Sequence, residues 1–129
     1  MKVTRRELRI ELMNALYQYD LYQSEKLLFI PSFEIEEALG IFHEIMDAIK
    51  EIDETIESNL YDYSLYRLAY VDRAIIRLAV FELLKTDLPK QIVIDEAVEI
   101  TKIYSNLDDE KQHKFTNKVI DNIAKKIKG

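Results

Sequence analysis

The chain has 129 residues, 48% of them hydrophobic, with two Gly, two Pro and no Cys. That length suits one domain able to bury roughly two-thirds of its unfolded surface, and so few chain-breakers predict long helices joined by few turns. The lack of Cys excludes a disulfide framework and any zinc–thiolate site, and fits a reducing compartment. The formal net charge of −6 is segregated: residues 1–10 set Lys2, Arg5, Arg6 and Arg9 against Glu7, residues 111–129 set Lys111, Lys114, Lys118, Lys125, Lys126 and Lys128 against Asp121, and residues 11–110 carry −14. Brought together, the two ends would form one basic surface on an acidic body, drawing polyanions to one place and repelling them elsewhere.

No stretch approaches the ~20 apolar residues that span a bilayer, and no signal-peptide run follows Met1–Arg6. The expectation is a soluble, cytoplasmic, all-α protein, a compact single-domain bundle of about six to seven helices across residues 1–129.

Thr4-Arg5-Arg6-Glu7 has the spacing of a capping box, and Leu8, Leu12, Ala15, Leu16 and Tyr19 carry the first helix to about Gln23-Ser24-Glu25. Arg5, Arg6 and Arg9 oppose the dipole at that helix start, where Asp or Glu would suit stability better; the opposition hints at function. Pro31-Ser32 marks the next start, with Ser32 as cap. From there Leu39, Phe42, Ile45, Met46, Ile49, Ile52, Ile56 and Leu60 recur at helical spacing, opposite an acidic face of Glu36, Glu37, Glu44, Asp47, Glu51, Glu54 and Glu57. Gly40 in this run costs about 1 kcal/mol against Ala and leaves room for a close helix crossing. Tyr61–Ser64 reads as a corner and Leu65–Leu68 as a short turn. Val71 to Lys85 is apolar on most sides and is predicted to be the central, most buried helix. After Pro89 a helix over Ile92–Tyr104 follows, then a turn at Ser105–Asp108. Asp108 or Asp109 caps a last helix whose buried stripe is Phe115, Val119, Ile120, Ile123 and Ile127.

Catalytic chemistry has little to work with: His43 and His113 are the only histidines, and Gly40 and Gly129 cannot build a phosphate loop. Glu110-Lys111-Gln112-His113 matches the Glu-x-x-His spacing of helical di-iron sites, but the second copy such sites need is missing. Asp95, Glu96 and Glu99 read as solvated or capping carboxylates. No enzyme activity, metal or cofactor is expected. The basic ends differ, because amides and a ring lie among the cations. Lys111, Lys114 and Lys118 fall at i, i+3, i+7 on one face, with Asn117 near it and Phe115 beside it. RNA recognition uses cations for phosphate, amides for base edges and a ring for stacking, although Phe115 also fits a core position.

Arg5-Arg6-Glu7-Leu8-Arg9 leading into Ala15-Leu16-Tyr17-Gln18-Tyr19-Asp20 resembles the opening of the NusB family of bacterial transcription antitermination factors. Val71 to Leu83 looks like that family's central helix, and Val93 to Lys102 is similar to its next one. Lys114-Phe115-Thr116-Asn117-Lys118-Val119-Ile120-Asp121-Asn122-Ile123-Ala124 resembles its C-terminal signature. Residues 24–62 match only in helical character. The resemblance implies an all-helical protein that binds single-stranded boxA RNA of ribosomal RNA leader transcripts together with the ribosomal protein NusE, within the RNA polymerase antitermination complex. Carried onto this chain, the family's RNA surface is Lys2, Arg5, Arg6 and Arg9 with Lys111, Lys114, Phe115, Asn117 and Lys118, and the NusE-facing positions are Tyr17 and Glu82. The chain departs from the pattern at Thr116-Asn117-Lys118, where Val-Asn-Gly is usual, at Lys111, where an acid is common, and at Asp95, where Asn is usual. Two alternatives share these features. One is the RNA-binding accessory domain of a ribosomal RNA cytosine methyltransferase, which needs a large following domain where this chain ends at Gly129. The other is a helical protein-binding adaptor without RNA contacts.

Overall fold

The computed structural model describes residues 3–60, 64–104 and 110–129. Thr4 caps α1 (Arg5–Ser24): its hydroxyl accepts from the Glu7 amide at 3.1 Å, the threonine half of a capping box, and donates to the Glu7 carboxylate at 3.1 Å. Leu8, Leu12, Met13, Ala15 and Leu16 bury one face of the helix. The helix ends without a glycine. Lys26 takes a left-handed φ of 58°, the Lys26 amide donates to the Gln23 carbonyl and the Leu27 amide to the Tyr22 carbonyl, the two bonds of a Schellman stop.

The helix expected from Ser32 onward starts later and is broken. The amides of Glu34 and Ile35 donate to the Glu11 carboxylate at 3.0–3.3 Å, which ties this stretch to α1. The Phe29 and Phe33 rings pack on Phe42 at centroid distances of 6.1 and 5.7 Å. These bonds hold residues 27–33 outside any helix, and α2 (Ala38–Asp47) and α3 (Ile49–Glu57) follow, divided at Ala48 (φ −99°, ψ 4°). Gly40 makes no close crossing, because a Cβ there would meet nothing within 4 Å. With the space open, Gly40→Ala should stabilise the protein by about 0.5–1 kcal/mol, read as a higher urea midpoint with an unchanged m-value.

Residues 61–63 of the expected corner lie outside the described residues, and the short turn is a single 3-10 turn at Leu65–Arg67. α4 (Tyr70–Lys85) is buried without interruption from Asp72 to Phe81 and packs against α1, α3, α5 and α6, as its all-round apolarity predicts. α5 (Lys90–Tyr104) and α6 (Glu110–Lys128) complete six α-helices among the described residues. The expected turn at Ser105–Asp108 and the cap at Asp108 or Asp109 lie outside them. α5 and α6 run antiparallel, pinned where Lys90 Nζ donates to the Gly129 carbonyl at 2.6 Å and Lys128 Nζ to the Thr86 and Leu88 carbonyls at 2.9 and 2.7 Å. The all-α bundle is as expected, but its two basic ends are not brought together helix against helix. α1 packs chiefly on α4 and α2, while α6 packs on α5 and on α4.

Candidate nucleic-acid interface

Helical register separates the three arginines of α1. Arg5 and Arg6 are exposed at the helix start, whereas Arg9 shares the inward register of Leu8, Leu12 and Met13 and is only 5% exposed. Arg9 Nε donates to both Glu82 carboxylate oxygens, at 3.0 and 3.2 Å, while its Nη2 is buried without a hydrogen-bond partner. Burial pushes the Glu82 carboxyl above its ordinary value and the Arg9 guanidinium draws it back. The folded state therefore holds that proton more tightly than the unfolded one, and this group's contribution to stability falls as pH rises from 4.5 through the folded value.

Arg6 is engaged differently. Its Nε and Nη2 donate to the two oxygens of Glu96 at 2.9 and 3.0 Å, bridging α1 to α5. The Arg6 hydrogen bond holds the Glu96 carboxyl below its ordinary value against a smaller opposing effect of burial. Glu96 thus contributes stability above pH 4.5 that is lost as pH falls through its lowered folded value. Arg5 makes no hydrogen bond or ion pair among the described residues. Lys2 lies outside them.

At the start of α6, Lys111, Lys114, Asn117 and Lys118 are exposed, Thr116 is buried, and Phe115 is half-buried with part of its ring packed on the core. One face therefore presents three cations and an amide beside a partly accessible aromatic edge. Nothing is described of the Glu110, Gln112 and His113 side chains, so the Glu-x-x-His spacing falls outside the described residues. The remaining lysines of α6 belong elsewhere. Lys125 pairs with Asp121 at 3.1 Å and Lys128 closes the α4–α5 loop, about 20 Å further along the helix.

The two basic ends flank α5 without merging. Arg6 meets α5 at Glu96, and Glu99, one turn on, pairs with Lys102 at 3.3 Å. The antiparallel arrangement sets the start of α6 beside the last turns of α5. Glu96 is the residue the sequence reading missed, since its partner lies 90 positions away and nothing local marks the pair.

Tyr17 and Glu82 lie apart on the antiparallel α1–α4 pair. Tyr17 is half-buried, its ring edge-on to Tyr70 at 6.2 Å, about 12 Å along α1 from the Arg9–Glu82 contact. Beside Glu82 a groove of about 1200 Å³ opens between α1, α2, α3 and the end of α4, floored by Leu8, Leu12 and Phe81. Glu44, Asp47, Glu51, Glu54 and Asp87 line it together with Arg5, Lys50 and Lys85, the last paired with Glu51 at 2.7 Å.

A sequence model of the NusB family matches residues 6–125. The chain is 35% identical to the transcription antitermination protein NusB of Staphylococcus haemolyticus, over 94% of this chain and 99% of that one. It is 36% identical to the protein of the same name from Campylobacter jejuni, over 95% and 96%. Its fold superposes on T. maritima NusB with a TM-score of 0.80 at 36% identity, covering 97% of this chain and 93% of that one. A crystal structure of the antitermination factors NusB and NusE in complex with double-stranded RNA contains a similar chain, with a TM-score of 0.73, 30% identity and coverages of 95% and 96%. With a family match across nearly all of its length, six helices in the matching arrangement and full-length relatives above 30% identity, this chain belongs to the NusB family.

Proposed function

We propose that this protein is a transcription antitermination factor. It acts as a single RNA-binding domain in the cytoplasm, without a catalytic role. It binds boxA-type single-stranded RNA in ribosomal RNA leader transcripts together with NusE, and the assembly helps RNA polymerase resist termination. The observation that carries the reading is the α6 face, with Lys111, Lys114 and Lys118 exposed alongside Asn117 and the half-buried Phe115, in a chain whose relative is found with NusE and RNA. In this reading Arg5, Lys114 and Lys118 neutralise phosphates with Lys111 and Lys2 extending the cationic face, Asn117 reads a base edge, and the Phe115 ring takes a stacked base. Arg6 borders them at the start of α1, its guanidinium engaged by Glu96. Arg9 is a positioning residue that acts through Glu82. Lys118, where the family pattern has Gly, adds a cation. Tyr17 and Glu82 mark the partner side, where the groove beside Glu82 has an apolar floor of Leu8, Leu12 and Phe81 and a charged lining with acids in the majority.

A titration against boxA RNA and a shuffled sequence of equal length, repeated across salt concentrations, tests this reading. Three phosphate contacts from Arg5, Lys114 and Lys118 give a log–log salt slope of about −2 on a single strand, with boxA bound more tightly than the shuffled RNA. A slope near zero, or equal affinity for both sequences, sinks it.

A further inference from the structure

An arginine that serves RNA binding best is one whose charge is free, yet Arg6 is held at its Nε–Nη2 edge by both oxygens of Glu96. The pair spans two helices and sits at the surface, with side-chain exposures of 45% for Arg6 and 23% for Glu96. To an approaching polyanion this unit is electrically neutral. Glu99, a turn further along α5, also acts on Arg6 by its charge. The pair is bidentate yet open to solvent on the Arg6 side, so a phosphate can reach the guanidinium and compete with the carboxylate for it.

We propose that Glu96 is a built-in competitor for the RNA backbone: its carboxylate occupies Arg6 and sets the affinity of the basic face below what its cations alone would give. This inference rests on the RNA-binding reading above and adds an affinity-determining residue to it. A phosphate reaching Arg6 must displace Glu96 or share the guanidinium with it. Either way part of the counterion release that drives binding to the strand is forfeited. An RNA that makes only charge contacts gains little at Arg6. One held in register by its bases at Phe115 and Asn117 can compete the carboxylate away, so the device favours sequence-specific over loose binding.

Glu96→Gln keeps the side-chain shape and one acceptor while removing the charge. In the full chain titrated with boxA RNA, this variant should bind about three- to tenfold more tightly at low salt, with a salt slope steeper by about 0.7. The gain should vanish in the Arg6→Ala background. Asp95→Asn, which removes a neighbouring exposed carboxylate bonded to Gln91 rather than to Arg6, should not reproduce it. Unchanged or weaker binding by Glu96→Gln overturns the inference, since Glu96 would then be neutral or would orient Arg6 productively. An equal gain from Asp95→Asn, or one that survives without Arg6, overturns it in favour of a general field effect. Wild-type binding with no Glu96→Gln effect leaves the RNA reading standing, whereas folded proteins that both fail to bind RNA remove the reading and the inference together.

Discussion

Asp20→Ala should lower the stability of the protein by about 3–5 kcal/mol, the loss expected when one partner of a buried ion cluster is removed. Arg77, 2% exposed at the centre of α4, donates through Nη1 to both Asp20 oxygens at 3.0 and 3.1 Å, and through Nε and Nη2 to Asp53 of α3, both at 2.9 Å. Arg73, one turn earlier, lies 3.3 Å from Asp20 and donates to the Tyr66 and Leu68 carbonyls, with the Tyr66 and Tyr70 rings against its guanidinium. Burial works against the Arg77 charge, but its hydrogen bonds to Asp53 and the charges of Asp20 and Asp53 outweigh it and raise its pKa. Without Asp20, Arg73 loses its carboxylate and Arg77 keeps only the more exposed Asp53. Urea unfolding at neutral pH reads the loss directly. A change below about 1 kcal/mol would mean that the cluster behaves as a solvated surface pair.

Phe115→Ala should weaken RNA binding by about 1–3 kcal/mol, which is the worth of one base–aromatic stack, and should leave the salt slope unchanged because a ring releases no counterions. The same residue packs on the core, so the variant also loses stability, and affinity has to be measured at a temperature where it remains folded. Lys114→Ala gives the complementary signature, a slope flatter by about 0.7 with the fold intact. If folded Phe115→Ala binds like the wild type, the ring serves packing alone and the stacking role is lost.

Much of the fold was legible in the sequence because its signals are local. Thr4 and Glu7 lie three residues apart and Thr4 caps the helix as that spacing suggests, and the unbroken apolarity of α4 marked it as the central helix. What was illegible depends on partners far along the chain. The Asp20–Arg77 and Asp53–Arg77 contacts join residues 57 and 24 positions apart, and single charges in three different helices give no sign that they will meet. The α1 stop fell on Lys26, whose left-handed φ no glycine advertised. The missing helical turns before Ala38 were lost to the Glu11 carboxylate, a contact made across the fold.

In the candidate interface the lysines of α6 were readable from spacing alone, because an exposed helix face is a property of one segment. The arginines were not. Arg5, Arg6 and Arg9 read as one cluster, but register sends Arg9 inward with Leu8, Leu12 and Met13, a pattern present in the sequence. The Glu96 contact of Arg6 was not present there. Glu82 shows the same limit. Its side chain is 13% exposed and holds the buried Arg9, so Glu82→Lys would set a second cation beside Arg9 and disturb folding as well as docking. It is a poor probe of the partner surface.

RNA and a basic ribosomal-protein partner are expected to bind this protein as a coupled pair, the partner extending a short cationic footprint across an acidic body. Calorimetric titration of boxA RNA into the protein, with and without saturating NusE, measures that coupling directly. The account predicts RNA affinity higher by about 5–150-fold when NusE is present, and NusE affinity raised by the same factor when RNA is present, as linkage requires. Identical RNA affinity in the two titrations would contradict it.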